Sequence, residues 1–156
     1  MRNVAIPVEG AYGAEEQIAD RRMDMDIKWN YKIDLSDPSV FQEIERKRGI
    51  TIPKELKELI IQGNAATPEK YKFMIHTTEH VLGAMLSFNK GEKDTDTVFT
   101  ALDVITDSNL FPFAIDPFGN YICLDIKNGE VAFWDHETGR TVLTGQKLIP
   151  FFEKLY

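Results

Sequence analysis

A chain of 156 residues, 43% hydrophobic and 11% aromatic, carries material for one core and too little for two. Its 25 acidic against 18 basic residues leave a formal net charge of -7, which argues against nucleic acid or an anionic membrane as a direct ligand and favours basic protein partners. Cys123 is the only cysteine, so no intrachain disulfide forms; no apolar run reaches membrane-spanning length, and the opening MRNVAIPVEGAYGAEE lacks a signal peptide's apolar stretch, so the expected location is cytoplasmic.

Residues 1–34 read as an N-terminal arm, in which Pro7, Gly10 and Gly13 interrupt short apolar pieces and the alternation Ile27, Trp29, Tyr31, Ile33 predicts one strand. Residues 35–156 read as a single domain. In LSDPSVFQEIERKRG, Ser36 or Asp37 can accept free amide groups, Pro38 suits the first helical position and Glu43 the early turn. Val40, Phe41 and Ile44 make the apolar stripe, and Gly49 ends the helix. Pro53 opens a second helix whose Leu56, Leu59 and Ile60 share a face and which stops at Gly63. KYKFMIH and VLGAMLSFN are rich in strand formers and predict a hairpin around TTE, followed by an exposed loop at NKGEKDTDT. Val98, Leu102 and Ile105 recur at helical spacing, and GQKLIPFFEKLY predicts a last helix beginning near Pro150 or slightly earlier.

Between these helices the chain reads as a three-stranded antiparallel meander over residues 111–116, 120–127 and 130–137. Asp116-Pro117-Phe118-Gly119 has the residue order of a type I turn, and Lys127-Asn128-Gly129-Glu130 that of a type I′ hairpin. If Asp116 faces Asn120, Asp125 lies roughly 16 Å further along the neighbouring strand, beyond the ~10 Å reach of a carboxylate pair for glycoside chemistry. The same register groups Ala114, Ile122, Leu124, Ile126, Val131 and Phe133 on one sheet face, expected to meet the helices. Phe111, Phe113, Tyr121, Cys123, Asp125, Trp134 and His136 fall on the other. That second face has two readings: a partner-binding surface of stiff amphipathic side chains, or a second core layer under the N-terminal arm. Asp116, Asn120, Asp135 and Glu137 are expected to cluster at the turn end as an acidic rim. The candidate partner-binding residues are therefore Asp116, Asn120, Tyr121, Asp125, Trp134, Asp135, His136 and Glu137.

Two patterns resemble catalytic motifs. His76-Thr77-Thr78-Glu79-His80 has the H-x-x-E-H form of a zinc peptidase, which needs a helix to bring both imidazoles to one side, whereas this segment reads as a strand end and turn. Cys123 and His136 come out as diagonal neighbours about 7–8 Å apart, but Asp125 is too far along to orient the imidazole, and cysteine reads better as a small core residue. No phosphate-cradling loop or nucleophile elbow is present. The expectation is a protein with no catalytic residues, no metal and no cofactor.

The order of elements, with PFAIDPFGNYICLD followed by VAFWDHE, resembles the SUKH superfamily over residues 38–156. The resemblance implies an α+β fold: a twisted, mostly antiparallel sheet flanked by short helices. It also implies function by binding, since the superfamily includes a fungal cell-wall synthesis regulator and many bacterial immunity proteins that neutralise a toxin, often a nuclease. The expected partner is then a basic toxin domain; the alternative is an intracellular regulatory or scaffold protein without a toxin. Ile52-Pro53 stands where the family usually has Leu-Pro, and Gly63-Asn64 where it has Asn-Gly.

Overall fold

The computed structural model describes residues 26–156. Both early helices form where apolar spacing and punctuation place them. Helix α1 (Val40–Arg48) buries Val40, Phe41 and Ile44, carries Arg46, Lys47 and Arg48 in its last turn, and closes at Gly49 in the left-handed region, φ 68°. Cations there complement the carbonyl end of the helix dipole. Helix α2 (Lys54–Gly63) follows Pro53 and buries Leu56, Leu59 and Ile60. Gly63 has a second reason to be glycine: a Cβ would lie 2.5 Å from the Trp29 ring.

Trp29 belongs to the described part of the arm, of which residues 1–25 lie outside the described residues. The strand predicted across Ile27 to Ile33 is two residues long, β1 (Trp29–Asn30), paired with β2 (Thr67–Pro68). It ends because Tyr31 turns to φ 64° and points into solvent. Asn64 then ties the arm down. Fully buried, it donates from Nδ2 to the Ile33 carbonyl (2.9 Å), accepts the Phe88 amide at Oδ1 (2.8 Å), and accepts the Ile33 amide at its backbone oxygen (3.0 Å). Asn64→Ala strands the buried Phe88 amide and the partly buried Ile33 carbonyl together, so a loss of about 2–4 kcal/mol in urea unfolding is expected. A loss below about 1 kcal/mol would show that the arm is not held by this side chain.

The predicted hairpin exists but turns earlier. Strands β3 (Lys72–Ile75) and β4 (Thr78–Val81) reverse at His76-Thr77, with His76 at φ 55°. VLGAMLSFN is split at Gly83, whose amide donates to the Ile115 carbonyl (2.9 Å), an approach any Cβ would obstruct. The short β5 (Ala84–Met85) then joins the main sheet. Helix α3 (Val98–Val104) follows, its first turn capped by Thr97.

The main sheet is an antiparallel meander in the order β5, β6 (Leu110–Ile115), β7 (Tyr121–Asp125), β8 (Glu130–Trp134) and β9 (Thr141–Lys147), with helix α4 (Leu148–Glu153) closing the chain. The fold is thus α+β with a mostly antiparallel sheet, as the resemblance implies. Strand β9 is a correction: GQKLIPFFEKLY predicts only a helix, and Thr144 and Gly145 break the alternation that would mark the strand. Two further corrections concern register. The β7–β8 turn is not the predicted type I′ turn, since only Gly129 has positive φ. Asp125 instead accepts the Lys127 and Asn128 amides at Oδ1 (3.0 and 3.1 Å), and its carbonyl accepts the Gly129 amide, closing a longer loop. Tyr121 therefore faces Trp134, two residues away from the partner that a two-residue Asn128-Gly129 turn would give it. A two-residue slip leaves every side chain on its predicted face.

The other correction moves a residue across the sheet. A bulge at Phe113 shifts the β6 register between Pro112 and Ala114, so that Phe111 pairs with Leu124 and not with Asp125. Phe111 leaves the predicted aromatic face and joins Ala114, Ile122, Leu124, Val131 and Phe133. There it is fully buried and approaches Phe88, which meets Phe41 of α1. Phe113 meets Phe152 of α4, while Phe73 of the hairpin meets Phe151. One apolar layer thus lies between this sheet face and the helices.

Candidate partner-binding surface

Each turn of the meander is built by an aspartate upstream of a glycine. Asp116, buried at 7% exposure, accepts the Phe118 and Asn120 amides at Oδ1 (2.9 and 2.8 Å) and the Asn120 side-chain amide at Oδ2 (2.9 Å). Asn120, half-buried, passes the order on: its Oδ1 accepts the His136 amide (3.0 Å) and lies 2.7 Å from His136 Nδ1. Asp135, half-buried, accepts the Glu137 amide at Oδ1 (2.8 Å) and the Gly139 amide at its carbonyl. These residues meet at one end of the sheet. The acidic rim is therefore largely a set of turn-building carboxylates, with Glu137 and His136 the members most open to solvent.

Asp125 is not among them. It sits at the opposite end of β7, where it also accepts from Asn109 Nδ2 (2.9 Å). Like Asp116, it punctuates its turn.

The predicted second face divides. Tyr121, Cys123 and Ala132 are buried, so this part is a second core layer. Burial raises the Tyr121 phenol above its ordinary range, with further upward contributions from Asp96, just ahead of α3, and from Cys123. Trp134 lies across from Tyr121 with ring centroids 5.9 Å apart and remains half-buried. Cys123 is enclosed opposite Ala132, and burial pushes its thiol far up, which removes the thiolate a nucleophile needs. His136 bonds with Asn120 beyond the strand end, so the two do not form a nucleophile and base.

His76 and His80 are also separated in role. His76 is exposed at the β3–β4 turn, whereas His80 is directly opposite Phe73 and wedged between the Phe73 and Phe133 rings, at 5.5 and 4.6 Å. Burial lowers the His80 pKa, opposed by the Asp116 carboxylate. The motif lies on a hairpin, where its spacing does not converge two imidazoles on one ion.

Residues missed by the sequence reading complete the surface. Phe118, at the β6–β7 turn tip, is 75% exposed, more than most aromatic side chains of the described chain tolerate. Gly119 beside it approaches the His136 ring, with Nδ1 3.8 Å from where a Cβ would sit. Val142 and Leu143 of β9 are also exposed, at 41% and 43%. A signal for Phe118 was available: a large aromatic inside Asp-Pro-Phe-Gly occupies the third position of a tight turn, from which its side chain projects away from both strands. The surface is thus Phe118 at the tip, His136 next to the same turn, and Trp134 with the β9 edge across from it. It offers aromatic contact area on backbone already fixed by hydrogen bonds, and no group placed for chemistry.

The family model described as SMI1-KNR4 cell-wall (SUKH_6) matches residues 39–152, well over half of the chain. The chain is also similar to the SPbeta prophage-derived uncharacterized protein YokK of Bacillus subtilis (strain 168), 43% identical over 47 residues. That match covers 28% of this chain and 24% of the relative, so the chain accounts for a minor part of the relative's length. Among the described residues no helix is long and apolar enough to cross a membrane.

Proposed function

The chain belongs to the SUKH superfamily, and on that premise we propose that it acts by binding, as an immunity protein that neutralises a cognate toxin domain. The observation that carries this reading is Phe118, an exposed aromatic at the tip of a turn that Asp116 and Asn120 hold rigid, with His136 bonded to Asn120 and Trp134 at the same end of β8. Interfaces draw most of their energy from a few large anchors, and a loop ordered beforehand loses little entropy on docking. The net charge of -7 favours a basic partner and steers it toward the protein, an effect that weakens with salt.

Capture of the product of a neighbouring gene, as the candidate toxin, tests the reading. Phe118→Ala and Trp134→Ala are each expected to weaken binding on the order of thirtyfold, about 2 kcal/mol, as central anchors do. Equal capture by the double variant and the unaltered chain would reject this surface. Failure to capture that toxin at all, with retained binding to another intracellular protein, would favour the regulatory alternative.

A further inference from the structure

We infer that the outer edge of β9 at Thr141–Leu143 receives an extended strand from the partner, an inference that rests on the binding reading above and specifies its geometry. The backbone pattern carries it. The Asp135 amide donates to the Arg140 carbonyl at 2.9 Å, and the pairs that follow are Trp134 with Thr141, Phe133 with Val142, and Ala132 with Leu143. Hydrogen-bonded and non-hydrogen-bonded pairs alternate along an antiparallel ladder. Val142 therefore directs its amide and carbonyl toward Phe133, whereas Thr141 and Leu143 turn theirs away from the sheet. Strand β9 ends the sheet order, all three residues are exposed, and among the described residues no hydrogen bond takes up the outward groups.

The free edge has a definite end. Thr144 Oγ1 donates back to the Val131 carbonyl at 2.8 Å, Gly145 turns to φ 81°, and the register skips between Glu130 and Ala132. Such a bulge ends a pairing edge, leaving three residues that offer two amides and two carbonyls. A second copy joined through this edge alone falls far short of the roughly 1,200 Å² that a stable complex buries. The occupant is instead a segment of a partner held elsewhere as well, and the edge adjoins the means: Thr141 is directly opposite Trp134. Val142 and Leu143 flank the edge on opposite sheet faces and call for apolar residues on the incoming strand. Glu137, exposed at the β8–β9 turn, gives a lysine or arginine at its end a counter-charge. This is recognition by strand addition, where main-chain bonds supply affinity and alternate side chains supply selectivity.

Three measurements on the full chain test it. In the free protein, the Thr141 and Leu143 amides are expected to exchange with deuterium at least about tenfold faster than that of Val142; equal or reversed rates would overturn the assigned ladder pattern. With the product of a neighbouring gene, the candidate toxin, as probe, Leu143→Pro removes only an outward donor and should weaken binding at least about tenfold, against less than about threefold for Leu143→Ala. Loss of capture on Phe118→Ala and Trp134→Ala, with Leu143→Pro silent, would reject strand addition and leave the binding reading intact. If neither affects capture, a random peptide library panned on the chain decides the edge separately: enriched alternating apolar and basic sequences lost on Leu143→Pro support it, and enrichment indifferent to that change overturns it. Thr141→Pro replaces Leu143→Pro if the latter fails to fold.

Discussion

Phe111→Ala is expected to destabilise the protein by about 3–5 kcal/mol, the range for emptying a fully enclosed phenylalanine site. Phe111 has no exposed surface, and it links the sheet to α1 through Phe88 and Phe41. A domain of this size should lose roughly 10–15 °C in Tm. Phe118→Ala, equally drastic on paper, should change stability by no more than about 0.5 kcal/mol, because the ring is mostly in water already. The contrast tests the β6 bulge. Without the bulge Phe111 would lie opposite Asp125 on the other face, apart from the Phe88 and Phe41 layer; a loss below about 1.5 kcal/mol in chemical unfolding would mean the register is wrong.

Asp116→Ala is expected to affect stability and binding together. The change leaves the Phe118 amide, the Asn120 amide and the Asn120 side chain without their common acceptor. Hydrogen bonds to a charged group each contribute on the order of 1.5–3 kcal/mol, and solvent reaching the loosened turn recovers part of that, so a net loss of about 2–4 kcal/mol is expected. Asn120, released from Asp116, no longer fixes His136, and the Phe118 tip gains freedom that must be lost again on docking. Partner affinity should therefore fall at least about tenfold under conditions where the variant remains folded. Asp116→Asn keeps an acceptor at Oδ1 and should recover more than half of the stability. An Asp116→Ala variant with normal stability and normal affinity would mean that the turn is ordered by the chain path alone.

Legibility of the fold followed the range of the forces involved. Both early helices, α3 and the meander were readable because apolar spacing, Pro38, Pro53, Gly49 and the Asp-Pro-Phe-Gly turn act within a few residues of themselves. Strand β9 was not, since TVLTGQK carries Gly145 and a Thr144 side chain that bonds across to Val131, a contact with no trace in local pattern. The β7–β8 loop was misread for a related reason: Asn128-Gly129 favours a tight turn locally, and the Asp125 side chain, bonded also to Asn109 from a neighbouring strand, selects a wider one.

The candidate surface was readable in composition and not in exposure. Asp116, Asn120, Asp135 and Glu137 were legible as the turn end of the sheet, but Tyr121 belongs to the core and Phe118 to the surface, the reverse of what residue type alone conveys. Alternation states which side chains share a face. It carries no information about what the chain later lays over that face.

The amino-acid order by itself determined the helices, the three central strands of the meander, the acidic character and the superfamily, because each depends on short-range periodicity, turn chemistry or a sum over residues. Only the tertiary structure decided that Asp116 and Asp125 organise turns, that Phe111 crosses to the helix side, that Phe118 stands out in solvent and that Thr141 and Leu143 face outward. Those outcomes depend on a bulge and on side-chain to backbone bonds between strands, and a difference of one residue in alignment exchanges the buried and the exposed side.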